Sequence, residues 1–398
     1  MKSILASLAL LLITTTAAAQ DLAITHATVY ASPNAAPTRD ATVLIQHGVI
    51  SQIGPRLPIP KDTPTLPCEG CVVLAGFWNA HVHFMEPKWN DAAHQPAEKL
   101  ARQMTEMLTH SGFTTVVDTG SDGENTVALR KRVESGEVAG PRIFTAGAPI
   151  FPAHALPYYV AGLPQELLAK MGQPETPEQA AAFVDKNRRA GSDILKLFTG
   201  SIVRPDHIVP MQEDIAKAAV NEAHRHNQLV FSHATNLDGT RVAIDARVDV
   251  LAHTPEATEG IDEAMLQRMH RQGMTIIPTL KLFAQDGTIA KIRALDHHYH
   301  ELGGRLVYGT DTGFLPDYDQ AEEFRQLALS GLTFRDVLAM LTTAPADLFH
   351  LSQIEGQVLP GMRADLTILS ADPATGKPDA FTSIRYTIRS GKVIWQAN

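Results

Sequence analysis

This 398-residue chain is short of cysteine (two residues), of aromatic side chains (6%) and of positive charge, with 34 Lys and Arg against 43 Asp and Glu. A formal charge of −9 leaves no basic stripe to meet phosphates, which excludes a nucleic-acid partner. The basic runs KRVESGE and KNRRAG are mixed or short and read as solvated helix faces. Long apolar runs are also missing. The N-terminal stretch Ile4–Ile13 falls well below the about 20 residues that span a bilayer. Both cysteines, Cys68 and Cys71, sit in one CEGC motif, so a zinc ribbon, which needs a second pair, is excluded. The motif does not open a helix at the start of a βαβ unit, which argues against a thioredoxin-like redox site. A local disulfide clip or two free thiols remain.

The first twenty residues, MKSILASLALLLITTTAAAQ, have the order of a secretory signal. Lys2 precedes the apolar stretch, and Ala17-Ala18-Ala19 offers a small-residue cleavage site before Gln20. No cysteine follows for lipid attachment. The expectation is a signal over residues 1–19 and a periplasmic or secreted protein with no stable membrane anchor after cleavage. Such a compartment permits a disulfide at CEGC.

What is present is a change of period along the chain. Residues 20–75 alternate apolar and polar side chains between turn signals, as in DLAITHATVYA and ATVLIQHGVISQIG, and predict short strands. Residues 76–352 alternate helix and strand patterns. Apolar runs at FTTVVD, RIFTAG, DILKLF, QLVFSH, DVLAH, MTIIPT and RLVYGTD join the one ending in NAHVHF, which makes eight. TPEQAAAFVDKNRRAG shows how a helix is marked: Thr176 as cap, Pro177 in the first turn, Gln179 three residues after the cap, and Gly191 at the end. Residues 353–398 return to strand patterns in GQVLPGMRADLTILS and SIRYTIRSGKVIWQ. The predicted fold class is α/β: a (β/α)₈ TIM barrel with a small β-sandwich built from both chain ends.

The candidate site follows from that frame. His81 and His83 in NAHVHF are two apart on a strand, so they face the same way. Lys196, His233, His253 and Asp311 each close or follow one of the other apolar runs. All six therefore belong at the C-terminal mouth of the barrel, where such folds carry their chemistry. His224 and His226 are also two apart, but in a helical pattern where such positions diverge. The HHYH run at 297–300 precedes the last strand and belongs near the far face.

The set His81-Val-His83, Lys196, His233, His253 and Asp311, with its flanking β unit, resembles the amidohydrolase superfamily. TTAPADLFHL…GQVLPGMRADLTILS resembles its imidazolonepropionase-like and Xaa-Pro-dipeptidase-like branch. Asn79 departs from the aspartate that many members carry two residues before the first histidine. The resemblance implies two divalent ions, most simply zinc. His81, His83 and Asp311 would hold one ion and His233 and His253 the other, bridged by a CO₂-derived carbamate on Lys196. It also implies attack by a bridging hydroxide, with Asp311 moving the proton to the leaving nitrogen.

The expected function is hydrolysis of a C–N bond in a small substrate, such as a dipeptide or N-acyl amino acid. Cyclic amide, lactone or ester hydrolysis on the same site and non-catalytic metal binding are the alternatives. An intact Asp311 favours catalysis, since a storage site needs no proton shuttle. Tyr159 or Arg204 is a candidate to receive a substrate carboxylate, with Trp89, His154, Tyr158, His207 and Lys281 on neighbouring loops. The sequence leaves homo-oligomerisation open.

Overall fold

Strands Phe77–Val82 (β1), Phe113–Asp118 (β2) and Arg142–Thr145 (β3) form one parallel sheet, in that order. Strands Leu195–Phe198 (β4), Val230–His233 (β5), Val250–Leu251 (β6), Thr275–Ile276 (β7) and Arg305–Leu306 (β8) form a second, also in chain order. This computed structural model describes residues 20–285 and 287–398, so the expected signal at 1–19 lies outside the described residues. Parallel neighbours need a crossover, and a helix provides it after each strand. Examples are Ala97–Met107 after β1, Glu213–Arg225 after β4 and Ala321–Leu329 after β8. The fold is α/β.

The two sheets meet at both edges. Ala80 N donates to Tyr308 O (2.8 Å) and a parallel bridge joins Val82 to Thr312, just past β8. At the other edge Ile150, past β3, bridges Leu197 of β4. All six residues of β1 are buried, as expected of a parallel strand covered on both faces. One apolar cluster collects Ala80, Val117, Phe231 and Val250 from four different strands and Ile277 and Val307 from the residues after β7 and β8, along with Ala146 and Ile194 beside β3 and β4.

Local signals act as read. Thr176 Oγ1 accepts from Gln179 N (3.3 Å), Pro177 opens the helix Pro177–Ala190, and Gly191 ends it at φ 107°. Between Thr145 and Pro177 the chain makes a long excursion. Its neck is closed where Phe151 N donates to Gly172 O (2.8 Å) and Gly172 N donates to Pro149 O (2.9 Å).

Both chain ends enter one further sheet. Its order is Lys392–Gln396, Ile384–Arg389, Leu366–Leu369, Val72–Ala75, Leu22–Val29, Thr38–Gln46, Val49–Pro55, with Thr65–Pro67 also paired to Leu22–Val29. A second apolar core, including Ile24, Val43, Val73 and Ile368, lies against it. Cys68 and Cys71 are disulfide-bonded and buried there. Several contacts tie this sheet to the rest, among them the following. Phe77 N donates to Thr367 Oγ1 across 290 residues (3.0 Å). Glu355 is ion-paired with Arg142 of β3 and with Arg363, and Asp365 lies 3.4 Å from Arg142.

Candidate metal centre

His81 leaves β1 fully buried, and His83 follows on the same side. Their Nε2 atoms approach Asp311 Oδ1 to 3.2 and 3.0 Å. His253, two residues past β6, stands between His81 and His233, with ring centroids 4.4 and 4.6 Å away. Lys196 on β4 completes the lining of the same cavity, its Nζ 5.3 Å from the Phe198 ring centre. All six predicted ligand residues therefore converge on one cavity of about 250 Å³. Asp311 reaches it through a left-handed backbone, φ 58°.

The groups fit a cation. His81, His253 and Asp311 offer ligand atoms within 4.8 Å of one another. His81 Nε2 and Asp311 Oδ1 are buried, yet neither makes a hydrogen bond of good geometry. Buried polar atoms without a partner are rare and call for an occupant. The outer nitrogens are fixed: His81 Nδ1 meets Ala252 O at 2.7 Å and His83 Nδ1 meets Gly120 O at 2.6 Å. A carbonyl only accepts, so both Nδ1 atoms carry hydrogen and both Nε2 atoms present lone pairs.

Electrostatics agrees. Burial drives His81 down to about 4 and His233 to about 3, with the Lys196 ammonium pushing the same way. Burial and the neighbouring His81 and His233 hold His253 well below its ordinary value. Burial brings Lys196 down to about 7 against the pull of Asp311. For Asp311 burial acts upward, but the His81 and His83 imidazoles outweigh it and keep the carboxyl well below the usual range. His83 is the exception: burial disfavours its charge, yet contact with Asp311 raises it.

Support comes from residues that sequence reasoning did not single out. Asp118, fully buried at the end of β2, accepts from Ser121 Oγ (2.6 Å) and Thr145 Oγ1 (2.7 Å). Ser121 Oγ in turn accepts from Phe84 N (2.8 Å), beside His83. Asn79 bonds Thr310 Oγ1 through Nδ2 (2.7 Å) and accepts from His81 N through Oδ1 (3.2 Å), linking β1 to the Asp311 turn. The one departure from the superfamily pattern is therefore still a support for His81.

The remaining wall is mainly apolar. Phe198 lies two residues past Lys196 on β4, the same strand face, and stacks on His233 (4.9 Å) and Phe151 (4.2 Å). Tyr159 lines the cavity and meets Phe314 edge-on at 5.6 Å. Its phenol is pushed up by burial, then by Asp311 and Glu256. Arg204 is placed elsewhere, 68% exposed on the hairpin Gly200–Arg204/His207–Pro210 and 3.5 Å from Asp206. His207 shares that exposed hairpin, and His154 is exposed beside Glu175. Trp89 is buried core against Phe84, and Lys281 binds the Asp317 carboxylate (2.9 Å). Tyr158 does line the cavity. The period-2 rule applied to Lys196 would have found Phe198, whereas the loop residues carry no periodic signal.

The family match and the relatives below make the bearer of this cluster, at the strand ends of an α/β fold, a hydrolase acting on carbon–nitrogen bonds. The chain belongs to the amidohydrolase family, whose sequence model matches residues 72–394. Among characterised relatives, ochratoxinase from Aspergillus niger is 25% identical over 387 residues, covering 85% of this chain and 78% of that one. A Xaa-Pro dipeptidase crystallised with methionine in its active site shares the fold, with a TM-score of 0.80 and 22% identity. The match covers 95% of this chain and all of that one. A putative prolidase from Bifidobacterium longum follows with a TM-score of 0.79, 24% identity and 95% of each chain covered.

Proposed function

We propose that this protein is an exported, metal-dependent amidohydrolase that cleaves the amide bond of a small substrate, such as a dipeptide or N-acyl amino acid with a bulky apolar group. The observation that carries this reading is the pair of pinned imidazoles. His81 and His83 have their Nδ1 atoms satisfied and their Nε2 atoms aimed at one carboxylate oxygen of Asp311.

In this reading the eight parallel strands close as a (β/α)₈ barrel over residues 76–352. The edge bridges and the shared inner cluster support it. Residues 20–75 and 353–398 form the β-sandwich around the second core. Residues 1–19 are the export signal. The Cys68–Cys71 disulfide suits the oxidising compartment that export implies.

His81, His83 and Asp311 would hold one divalent ion, and His233 and His253 a second. Lys196 would offer them a further pair of ligand oxygens after its amine takes up CO₂. Brought down to about 7 by burial, that amine is about half neutral at pH 7, the form whose lone pair makes the new N–C bond with loss of a proton. Imidazole-rich donors suit zinc. When bound, such ions polarise the scissile carbonyl and lower the pKa of water to roughly 7. The ionised Asp311 takes the water proton and returns it to the departing nitrogen. Phe151, Phe198 and Tyr159 hold the substrate's apolar part and keep bulk water out.

The names of the relatives, ochratoxinase and Xaa-Pro dipeptidase, support amide and dipeptide substrates. The test combines metal analysis of the purified protein with a panel of dipeptides, N-acyl aromatic amino acids, lactones and esters. Amide turnover abolished by a chelator and restored by Zn²⁺ is expected. Turnover confined to lactones or esters, or unchanged by chelation, would refute the reading.

A further inference from the structure

Thr279, just past β7, has a backbone conformation that its side chain disfavours. It is a β-branched residue at φ 50°, ψ 45°, fully buried. The left-handed region costs a non-glycine residue roughly 1–2 kcal/mol, and a β-branched residue there is an outlier. Such outliers persist only where surrounding structure holds them, and they gather at functional sites. Here the holding group is Glu323 on the helix Ala321–Leu329. Its two carboxylate oxygens accept from Leu280 N (3.0 Å) and Lys281 N (2.7 Å), the two residues that follow Thr279.

The conformation brings the hydroxyl to the metal centre. Thr279 Oγ1 lies 2.7 Å from His253 Nδ1 and 2.8 Å from Pro278 O. The hydroxyl has one hydrogen, and a carbonyl can only accept, so that hydrogen goes to Pro278 O. The remaining lone pairs of Oγ1 accept, so Nδ1 of His253 must be the donor. We propose that Thr279 is a positioning residue: its hydroxyl fixes His253 as the Nδ1–H tautomer and turns the lone pair of Nε2 toward the metal. A glycine would adopt the turn without strain but has no hydroxyl to offer. Backbone carbonyls do the same for His81 and His83. For His253 the task falls to a side chain, which makes it open to mutation.

The proposal rests on His253 being a ligand, and the experiment separates the two questions. Full-length metal-free protein is titrated with Zn²⁺ against a chromophoric chelator, and Co²⁺ spectra are recorded for the wild type, Thr279→Val, Thr279→Gly, Thr279→Ser and His253→Ala. Valine keeps the shape and the strain without the hydroxyl. Glycine removes both strain and hydroxyl, so it remains folded if valine does not. The expected result is an about 10–100-fold weaker affinity for one ion in the valine and glycine variants, with the other ion unchanged. Serine should bind within about threefold of the wild type, as removing an outer partner, not reshaping it, is what weakens binding. Unchanged affinity in the valine and glycine variants would overturn the proposal. A serine variant as weak as valine would also overturn it, because shape and not the hydroxyl would then matter. A wild type that binds no ion, or a His253→Ala variant that binds both as well as the wild type, would instead remove His253 as a ligand and the proposal with it.

Discussion

Gly309 is a position beside the site with no room for a side chain. It lies between Tyr308, whose carbonyl accepts from Ala80 N, and the turn to Asp311, whose N–H donates to His81 O at 3.0 Å. A Cβ at Gly309 would stand 2.4 Å from Ile277 Cγ2, 2.9 Å from His81 Cβ and 3.2 Å from His81 N. Ordinary carbon–carbon contact begins near about 3.5 Å, so Gly309→Ala forces a separation of about 1 Å. Ile277 is fully buried and cannot retreat, so β1 and His81 absorb much of the shift. Overpacking of this kind costs about 1–3 kcal/mol. At an unfolding entropy of about 2 cal/mol/K per residue, that lowers the melting temperature of a chain this long by only about 1–4 °C. Displacing a catalytic group by about 1 Å costs roughly 100-fold in rate. Calorimetry together with kcat and zinc affinity should therefore show a small thermal shift beside a large functional loss. Gly162→Ala, where the added carbon meets nothing within 4 Å, is the control. A Gly309→Ala enzyme with wild-type kcat and zinc affinity would refute the steric argument.

Other outcomes follow from groups already described. Asp311→Asn should lower kcat by at least about 100-fold with the melting temperature nearly unchanged, and near-wild-type turnover would remove Asp311 as the proton carrier. Burial pushes Glu323 up to about 7, above its ordinary 4.5. Its contribution to stability is therefore complete below about pH 4.5 and is lost as pH rises through 7, a change of up to about 3 kcal/mol. Glu323→Gln should flatten denaturant-derived stability between pH 5 and 8, and an unaltered slope would contradict this. Glu355→Ala leaves the mostly buried Arg142 with Asp365 alone. It should cost about 3 kcal/mol in urea unfolding, and a loss below 1 kcal/mol would show the pair to be dispensable.

The convergence of the six candidate residues on one cavity was legible because they follow rules of strand geometry. His81 and His83 share a face through the period of two, and Lys196, His233 and Asp311 end apolar runs that form, or lead out of, parallel strands. The extent of those strands was less legible. DVLAH, MTIIPT and RLVYGTD each keep only two residues in the ladder, since the chain turns early to aim His253, Thr279 and Asp311. Two of these three take left-handed backbone that no propensity foretells for threonine or aspartate within an apolar run. The strand character of both chain ends was readable, but their joining depended on pairings such as Leu74 with Thr367, which leave no local mark. Arg204 shows the limit most plainly. Its place after Lys196 suggested the cavity, but residues 200–210 pair with each other as a hairpin and carry it into solvent.

The sheet made from both chain ends has a consequence for the order of events during synthesis. Val72–Ala75 runs directly into the strand that bears His81, and it is paired on one side with Leu22–Val29 and on the other with Leu366–Leu369. The ribosome therefore delivers His81 and His83 long before the neighbour that anchors their strand. A chain released before residue 366 would hold every proposed ligand, yet present Val72–Ala75 as an open edge ready to pair with another molecule. Assembly of the site is thus tied to completion of the polypeptide, and an unfinished copy is an aggregation hazard before it is an enzyme.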